Sequence, residues 1–339
     1  MKVMQIEGDW GPEHIKPAER PDPVPGPGEI VIDMQATAIN PRDLIMSRRG
    51  YGRHSGSLPL IPLADGAGVV SARGEGCEKF ELGALVCPIY NPNWLKGTSD
   101  AAYGAGGLGG PLDGTQTEKL LIAESGVVRA PSYMTAMQAA TLPIAALTAW
   151  NCIVEQGRTK PGDVVLVQGT GGVALFASQF AKMMGAEVIL ISSSDEKLER
   201  AQALGADHRI NYRDNPDWHR AALEITIGRG VDHVVEIGGT GTLDRSVKAV
   251  RPSGFVGMIG VLAGVAGEVN LGPVVTRNIR LQGVTVGSRE MFENMVRAIE
   301  ANPIDPVIDE AHTFAFEDVG KALATLPDGK HFGKVVCRF

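Results

Sequence analysis

The stretch Val164-Val-Leu-Val-Gln-Gly-Thr-Gly-Gly-Val-Ala174 decides how the rest of the chain is read. Val164 to Val167 make the apolar run of a strand buried on both faces, and Gln168 closes it. Gly169, Gly171 and Gly172 follow at once, after which Ala177, Phe180, Ala181 and Met184 fall on one helical face. In strand-turn-helix units of this kind the first glycine permits a tight turn and the second lets the backbone approach a pyrophosphate. A small third residue, here Ala174, lets helix and strand pack closely. Free N–H groups and the dipole at the start of the helix favour an anion. Gly169, Gly171, Gly172 and Val173 are therefore expected to hold the pyrophosphate of a dinucleotide.

Beyond that helix, Val188-Ile-Leu-Ile191 reads as a second strand, Asp195 to Leu204 as a second helix, and Ile210-Asn-Tyr212 as the end of a third strand. This βαβαβ order is the context that the glycine spacing needs. A second match to G-x-G-x-x-G, Gly104-Ala-Gly-Gly-Leu-Gly109, has no strand before it and meets Pro111 and Gly114 after it, so it reads as a loop.

With 339 residues the chain is long enough for two domains. A formal net charge of -7 argues against a general nucleic-acid or anionic-membrane surface. Hydrophobic content of 44% against 21% charged excludes disorder as a class. Cys77, Cys87, Cys152 and Cys337 are too scattered for a disulfide framework, which suits a reducing, cytoplasmic location. The opening Met1-Lys-Val-Met-Gln-Ile-Glu-Gly8 is strand-like rather than secretory, and no apolar run reaches the roughly 18 residues of a membrane span. A small-molecule substrate is expected, with neither nucleic acid nor membrane as partner.

Residues 1 to 130 read as strands broken by turns: Met1 to Ile6, Glu29 to Met34, Gly66 to Val70, Leu85 to Pro88 and Lys119 to Ile122. Asn91 to Gly114, with Trp94 and Tyr103, is a long glycine-rich loop and reads as an active-site wall. Met134 to Glu155 turns helical, interrupted at Pro143. After Tyr212 helices and strands alternate, as in a doubly wound parallel sheet. A helix from Met291 to Ala301, another from Phe316 to Leu326, and a strand from Gly333 to Arg338 finish the chain.

Taken in order, Asn40-Pro-Arg-Asp43, Asp65-Gly-Ala-Gly68, Leu147-Thr-Ala-Trp150, the Gly169 loop, Leu204-Gly-Ala-Asp207 and His331-Phe-Gly-Lys-Val-Val336 resemble the landmarks of the medium-chain dehydrogenase/reductase superfamily over essentially the whole chain. The resemblance implies an α/β fold. A β-rich GroES-like catalytic domain would use residues 1–130 and 288–339, and a Rossmann NAD(P)-binding domain, residues 131–287, would be inserted between them. The cleft between the domains would take nicotinamide and substrate. A homodimer is implied too, with edge strands near Phe255 to Leu262 pairing across subunits.

Many members of that superfamily use zinc. Where the zinc enzymes carry their ligands, this chain resembles them in spacing but has Asn40, Ala64 and Ile144, which cannot supply the thiolates and imidazole that zinc prefers. No zinc is expected, as in the quinone oxidoreductase and enone reductase branches. An NAD enzyme usually ends its second Rossmann strand with an acid that binds the ribose hydroxyls. Here that position is Ser192, and Ser192, Ser193, Lys197 and Tyr212 resemble a 2′-phosphate pocket. NADPH is expected, with NADH the alternative if Asp195 turns to the ribose. Ser193 and Glu196 also match a capping box, which explains part of the serine run without a ligand. By resemblance alone, Thr148 and Ser288 lie near the nicotinamide, Ile237, Gly260 and Val261 along the ribose, and Lys334 near the domain junction.

Without a metal to hold an alkoxide, an acceptor that spreads charge by conjugation is the better fit. A quinone or α,β-unsaturated carbonyl needs only a hydrogen-bond donor at the developing oxygen. Asn40 and Tyr51 are the candidate donors, while Asp43 and Asp65 read as holding local backbone. The alternatives are a metal-free alcohol dehydrogenase or carbonyl reductase, and a non-catalytic NADPH-binding sensor.

Overall fold

The structure, a computed structural model, describes residues 1–99 and 106–339. Tyr103 and Gly104 lie outside the described residues. The chain forms two compact units, Met1–Leu147 with Val286–Phe339, and Thr148–Thr285.

In the first unit, β1 (Lys2–Ile6) and β2 (Ile15–Glu19) make an antiparallel pair. The main sheet uses β3 (Glu29–Ala38), β4 (Asp65–Arg73), β5 (Leu85–Pro88), β6 (Lys119–Ala123) and β7 (Val127–Arg129). Strand β2 was not anticipated, because Pro17 demotes its pattern; paired only with β1, the strand tolerates a proline.

The second unit is a parallel sheet of β8 (Val164–Gln168), β9 (Glu187–Ser192), β10 (His208–Asn211), β11 (Val231–Glu236), β12 (Val250–Met258) and β13 (Arg280–Gly283). Its order is β10-β9-β8-β11-β12-β13, so the winding reverses between β8 and β11, where such sheets bind ligands. Val164, Leu166, Ile189, Ile191, Val234 and Val256 share its core with Trp218, Leu243 and Val247 from the covering helices. Strand β12 is paired on both sides, so the segment expected to cross a dimer interface has no free edge; the edges are β10 and β13.

The chain then returns to the first unit with β14 (Ile308–Ala315) and β15 (Lys334–Arg338). The first unit's main sheet therefore runs β14-β15-β3-β4-β5-β7, with β6 on β3. Strand β15 lies between β14 and β3, so the last strand in the chain is an interior one.

One helix, Ala136–Gln156, absorbs Pro143 instead of breaking there, because Leu142–Ala146 widens to a π-helical turn around the proline; a second such turn, Asn151–Gln156, ends the helix. Contrary to expectation, among the described residues this one helix has the length and mean hydropathy of a membrane span. Thr and Gln break its apolar run but not its average, and 83% of that window is buried inside the protein, as in a core helix.

Candidate active site

In the second unit, β8 delivers Gln168 to Gly169, which turns at φ +82 and donates its N–H to the Ile191 carbonyl at 2.7 Å. Gly171 is the N-cap of the helix Gly172–Met183, and no side chain caps it. Its first N–H groups are thus left for an anion, with Val173 in the first turn. Ile237 lies over the turn, its Cδ1 3.1 Å from where a Cβ on Gly169 would stand. Gly260 packs on the Ile237 carbonyl, with room of only 2.6 Å for a side chain, and Val261 beside it is exposed. A flat glycine turn, an uncapped helix start and a cradle of strand ends fit a dinucleotide.

At the end of β9, Ser192 is buried and its carbonyl accepts the Tyr212 N–H at 3.0 Å. The expected Ser193–Glu196 capping box does not form. The strand runs to Ser192 and the helix starts at Asp195, so Ser194 is the N-cap and its Oγ takes the Lys197 N–H at 3.4 Å. Ser193 is left out of the cap. Asp195, the acid of the NADH alternative, accepts from Asn211 Nδ2 at 2.9 Å through one of its two oxygens. Ser192, Ser193, Lys197 and Tyr212 thus gather at the β9 and β10 ends. Thr148 is buried in the helix that opens this unit.

A polar pair that the sequence reading missed lies behind the turn. Gln168 Nε2 donates to Glu236 Oε2 at 2.7 Å and Ser246 Oγ at 2.8 Å, and its Oε1 accepts from Ile237 N at 3.1 Å and Gly238 N at 3.3 Å. Glu236, fully buried at the end of β11, also accepts from Gly238 N at 2.8 Å, Gly239 N at 3.0 Å, and the Thr242 and Ser246 hydroxyls. The signal was present: each polar residue ends an apolar strand just before a glycine turn.

In the first unit, adjacent strands bring distant residues together. Lys334 opens β15, Asp65 opens β4, and Asn40 follows the end of β3. Lys334 is buried, and its Nζ donates to Ile39 O at 2.9 Å, Asn40 Oδ1 at 2.7 Å and Asp65 Oδ2 at 3.1 Å. Asn40 Nδ2 donates to Asp65 Oδ2 at 2.9 Å and Asp43 Oδ2 at 3.4 Å. Two expectations change here. All three Lys334 donors are taken inside this unit, which leaves none for a cofactor, and both Asn40 amide protons face carboxylates, which leaves none for a substrate oxygen.

Asp43 does hold backbone, accepting the Asn40 N–H at 2.9 Å, whereas among the described residues the Asp65 carboxylate bonds only side chains and its Oδ1 has no partner. Burial pushes the Asp65 carboxyl up to about 6, against the pull of Lys334 and Asn40. Tyr51, 45% exposed, begins the turn Gly52–Ser55; partial burial raises its phenol above the usual value, Arg42 opposes this, and Tyr90 and Asp43 add to it. Ser288 is buried as the N-cap of the helix Arg289–Ala301, its Oγ accepting Met291 N at 3.3 Å. The described start of the long loop serves the same helix: Trp94 O and Leu95 O accept the Arg289 and Glu290 N–H groups, both at 3.0 Å.

The donor set here does not fit zinc. Ala64 and Ile144 are buried carbon side chains, and among the described residues no three His, Cys, Asp or Glu groups converge. Cys87, whose thiol burial pushes far up, bonds the Ala139 carbonyl. The Lys334 ammonium, already between Asn40 and Asp65, would repel a divalent ion.

Residues 26–132 match the alcohol dehydrogenase GroES-like domain, and residues 172–301 match the zinc-binding dehydrogenase domain. A zinc-type alcohol dehydrogenase-like protein of Schizosaccharomyces pombe is 40% identical over 97% of this chain and 96% of its own length. The crystal structure of a putative alcohol dehydrogenase from Sinorhizobium meliloti is 41% identical with a TM-score of 0.92, covering 100% of this chain and 98% of that one. An acryloyl-coenzyme A reductase of Sulfurisphaera tokodaii is 28% identical over the full length of both. The chain belongs to the medium-chain dehydrogenase/reductase superfamily and is an oxidoreductase built on its NAD(P)-binding fold.

Proposed function

We propose that the chain is an NADPH-dependent, zinc-free reductase that passes hydride to a small conjugated acceptor, a quinone or an α,β-unsaturated carbonyl. The observation that carries this reading is the buried Lys334 ammonium seated between Asn40 and Asp65, beside positions that by resemblance match zinc-ligand positions of other members of the superfamily. A Lewis acid that held an alkoxide there would have to displace this ammonium. An enolate or phenolate needs only an aimed donor. The similarity to an acryloyl-coenzyme A reductase, a name that implies a conjugated acyl substrate, supports the same class.

NADPH supplies the hydride; the protein supplies orientation and a proton. Gly169, Gly171, Gly172 and Val173, at the uncapped helix start, would hold the pyrophosphate, and Ser192, Ser193, Lys197 and Tyr212 would hold the 2′-phosphate. In the second unit, Thr148, Ile237, Gly260 and Val261 would be the residues for the ribose and nicotinamide, by the family resemblance; Ser288, in the first unit, is the remaining candidate by the same resemblance. Tyr51 would donate its hydroxyl proton to the oxygen that gains charge, while Asn40 and Lys334 fix each other in the first unit.

NADPH oxidation followed with a quinone, an enone and a saturated aldehyde, with products identified and metal content measured, tests the reading. Turnover of quinone or enone by protein lacking stoichiometric zinc is the expected result. Turnover of the aldehyde alone would select an alcohol dehydrogenase or carbonyl reductase instead, and the metal content would say whether it is metal-free; two relatives carry alcohol dehydrogenase names, one of them zinc-type. Tight NADPH binding with no turnover would leave a sensor.

A further inference from the structure

The helix Pro41–Ser47 carries a cation that the sequence reading passed over. The Arg42 side chain is only 12% exposed. Its Nη1 donates to Asp43 Oδ1 at 3.0 Å and to Leu108 O at 3.1 Å, and its Nη2 reaches Gly110 O at 3.4 Å. The guanidinium also lies over the Tyr90 ring, 4.8 Å from its centre, and Tyr90 O accepts the Leu108 N–H at 2.9 Å.

The segment that Arg42 grips is packed without slack. A side chain on Gly110 would stand 2.4 Å from Met46, and one on Gly109 would stand 2.5 Å from the Leu63 carbonyl. Gly56, which closes the Tyr51 turn, has only 2.9 Å to Pro111 for a Cβ. Residues 107–112 are therefore pressed against both the Arg42 helix and the turn that begins at Tyr51. The phenol of Tyr51 experiences Arg42 together with Tyr90 and Asp43.

We propose that Arg42 is a positioning residue for the acceptor: it clamps residues 107–112 against the Tyr51 turn, giving the phenol a fixed wall, and takes no part in holding the nucleotide. This rests on Tyr51 being the proton donor. Methionine at position 42 keeps the length and loses the fork and the charge; lysine returns the charge alone.

The test compares wild type, Arg42→Met and Arg42→Lys as full-length protein. In Arg42→Met, hydrogen exchange of residues 107–112 should quicken about tenfold or more while the helix Gly172–Met183 stays unchanged. The ring-carbon NMR titration of Tyr51 should move to higher pH, and Arg42→Lys should return part of that shift. The acceptor KM should rise by about tenfold or more with NADPH Kd held within about twofold. Unchanged exchange and an unmoved Tyr51 titration overturn the clamp, as does NADPH affinity falling in step with acceptor affinity. A wild type that turns over no acceptor would fail the reading of function instead, and the exchange and titration results would still decide the clamp.

Discussion

The ammonium of Lys334 is buried, and its charge is balanced by Asp65 and two oxygen acceptors. Removing one partner of a buried pair strands the other, and Lys334→Met is expected to lower stability by about 3–5 kcal/mol in denaturant melts. Asp65 gives a pH signature. Its carboxyl is raised from 3.8 to about 6, so the folded state holds that proton more tightly than the unfolded one. The stability it contributes is full below 3.8 and is lost as pH rises through about 6. A carboxyl-carbon NMR titration should find that midpoint near 6 in wild type and higher in Lys334→Met; a midpoint near 3.8 in wild type would contradict the burial described. Glu236 is a buried hydrogen-bond acceptor: both its oxygens face donors, so Glu236→Gln sets an N–H against N–H or hydroxyl and should weaken NAD(P)H binding through the Gly169 turn. The loss expected in calorimetric titration is roughly 1–3 kcal/mol.

Among the elements, the helix Gly172–Met183 shows how one residue ends a structure cleanly. Gly185 sits at φ +80, its N–H bonds Lys182 O at 2.9 Å, and the Ala186 N–H bonds Ala181 O at 3.0 Å. Gly185→Ala forces a left-handed alanine whose Cβ meets Pro161 at 3.2 Å. Thermal unfolding should report a loss of about 1–2 kcal/mol with NADPH affinity intact. Elements of this kind were legible because apolar runs and glycines carry their own geometry: β8, its helix, β9 and the alternation after them all follow from local pattern. Pro143 was misread because a proline signals a break, and only packing shows that a π turn absorbs it. Ser193 was misread because a capping box is a spacing, and the strand's last residue decides which serine takes the role. The Lys334, Asp65 and Asn40 network was illegible for a different reason: sequence separations of 25 and 294 residues close only when β15, β3 and β4 align.

For the whole molecule, the exposed apolar residues Leu262, Val265, Leu271 and Val275 all fall in the segment between β12 and the edge strand β13. A homodimer, expected from the family resemblance, would cover them. Sedimentation should give twice the chain mass, and Val265→Lys with Leu271→Lys should halve it; a wild-type monomer would dispose of the dimer. The first unit is built from both ends of the chain while the second is one continuous run, Thr148–Thr285. On a ribosome, the nucleotide-binding half can close while the tail is still being made, whereas the other half waits for its interior strand β15 to emerge. Until release, Asp65 and Asn40 lack the lysine that neutralises and fixes them, and Ala36 to Ala38 at the end of β3 lack the strand they pair with. Premature termination ahead of Lys334 would thus leave a polypeptide able to recognise nucleotide yet prone to sticking to its neighbours.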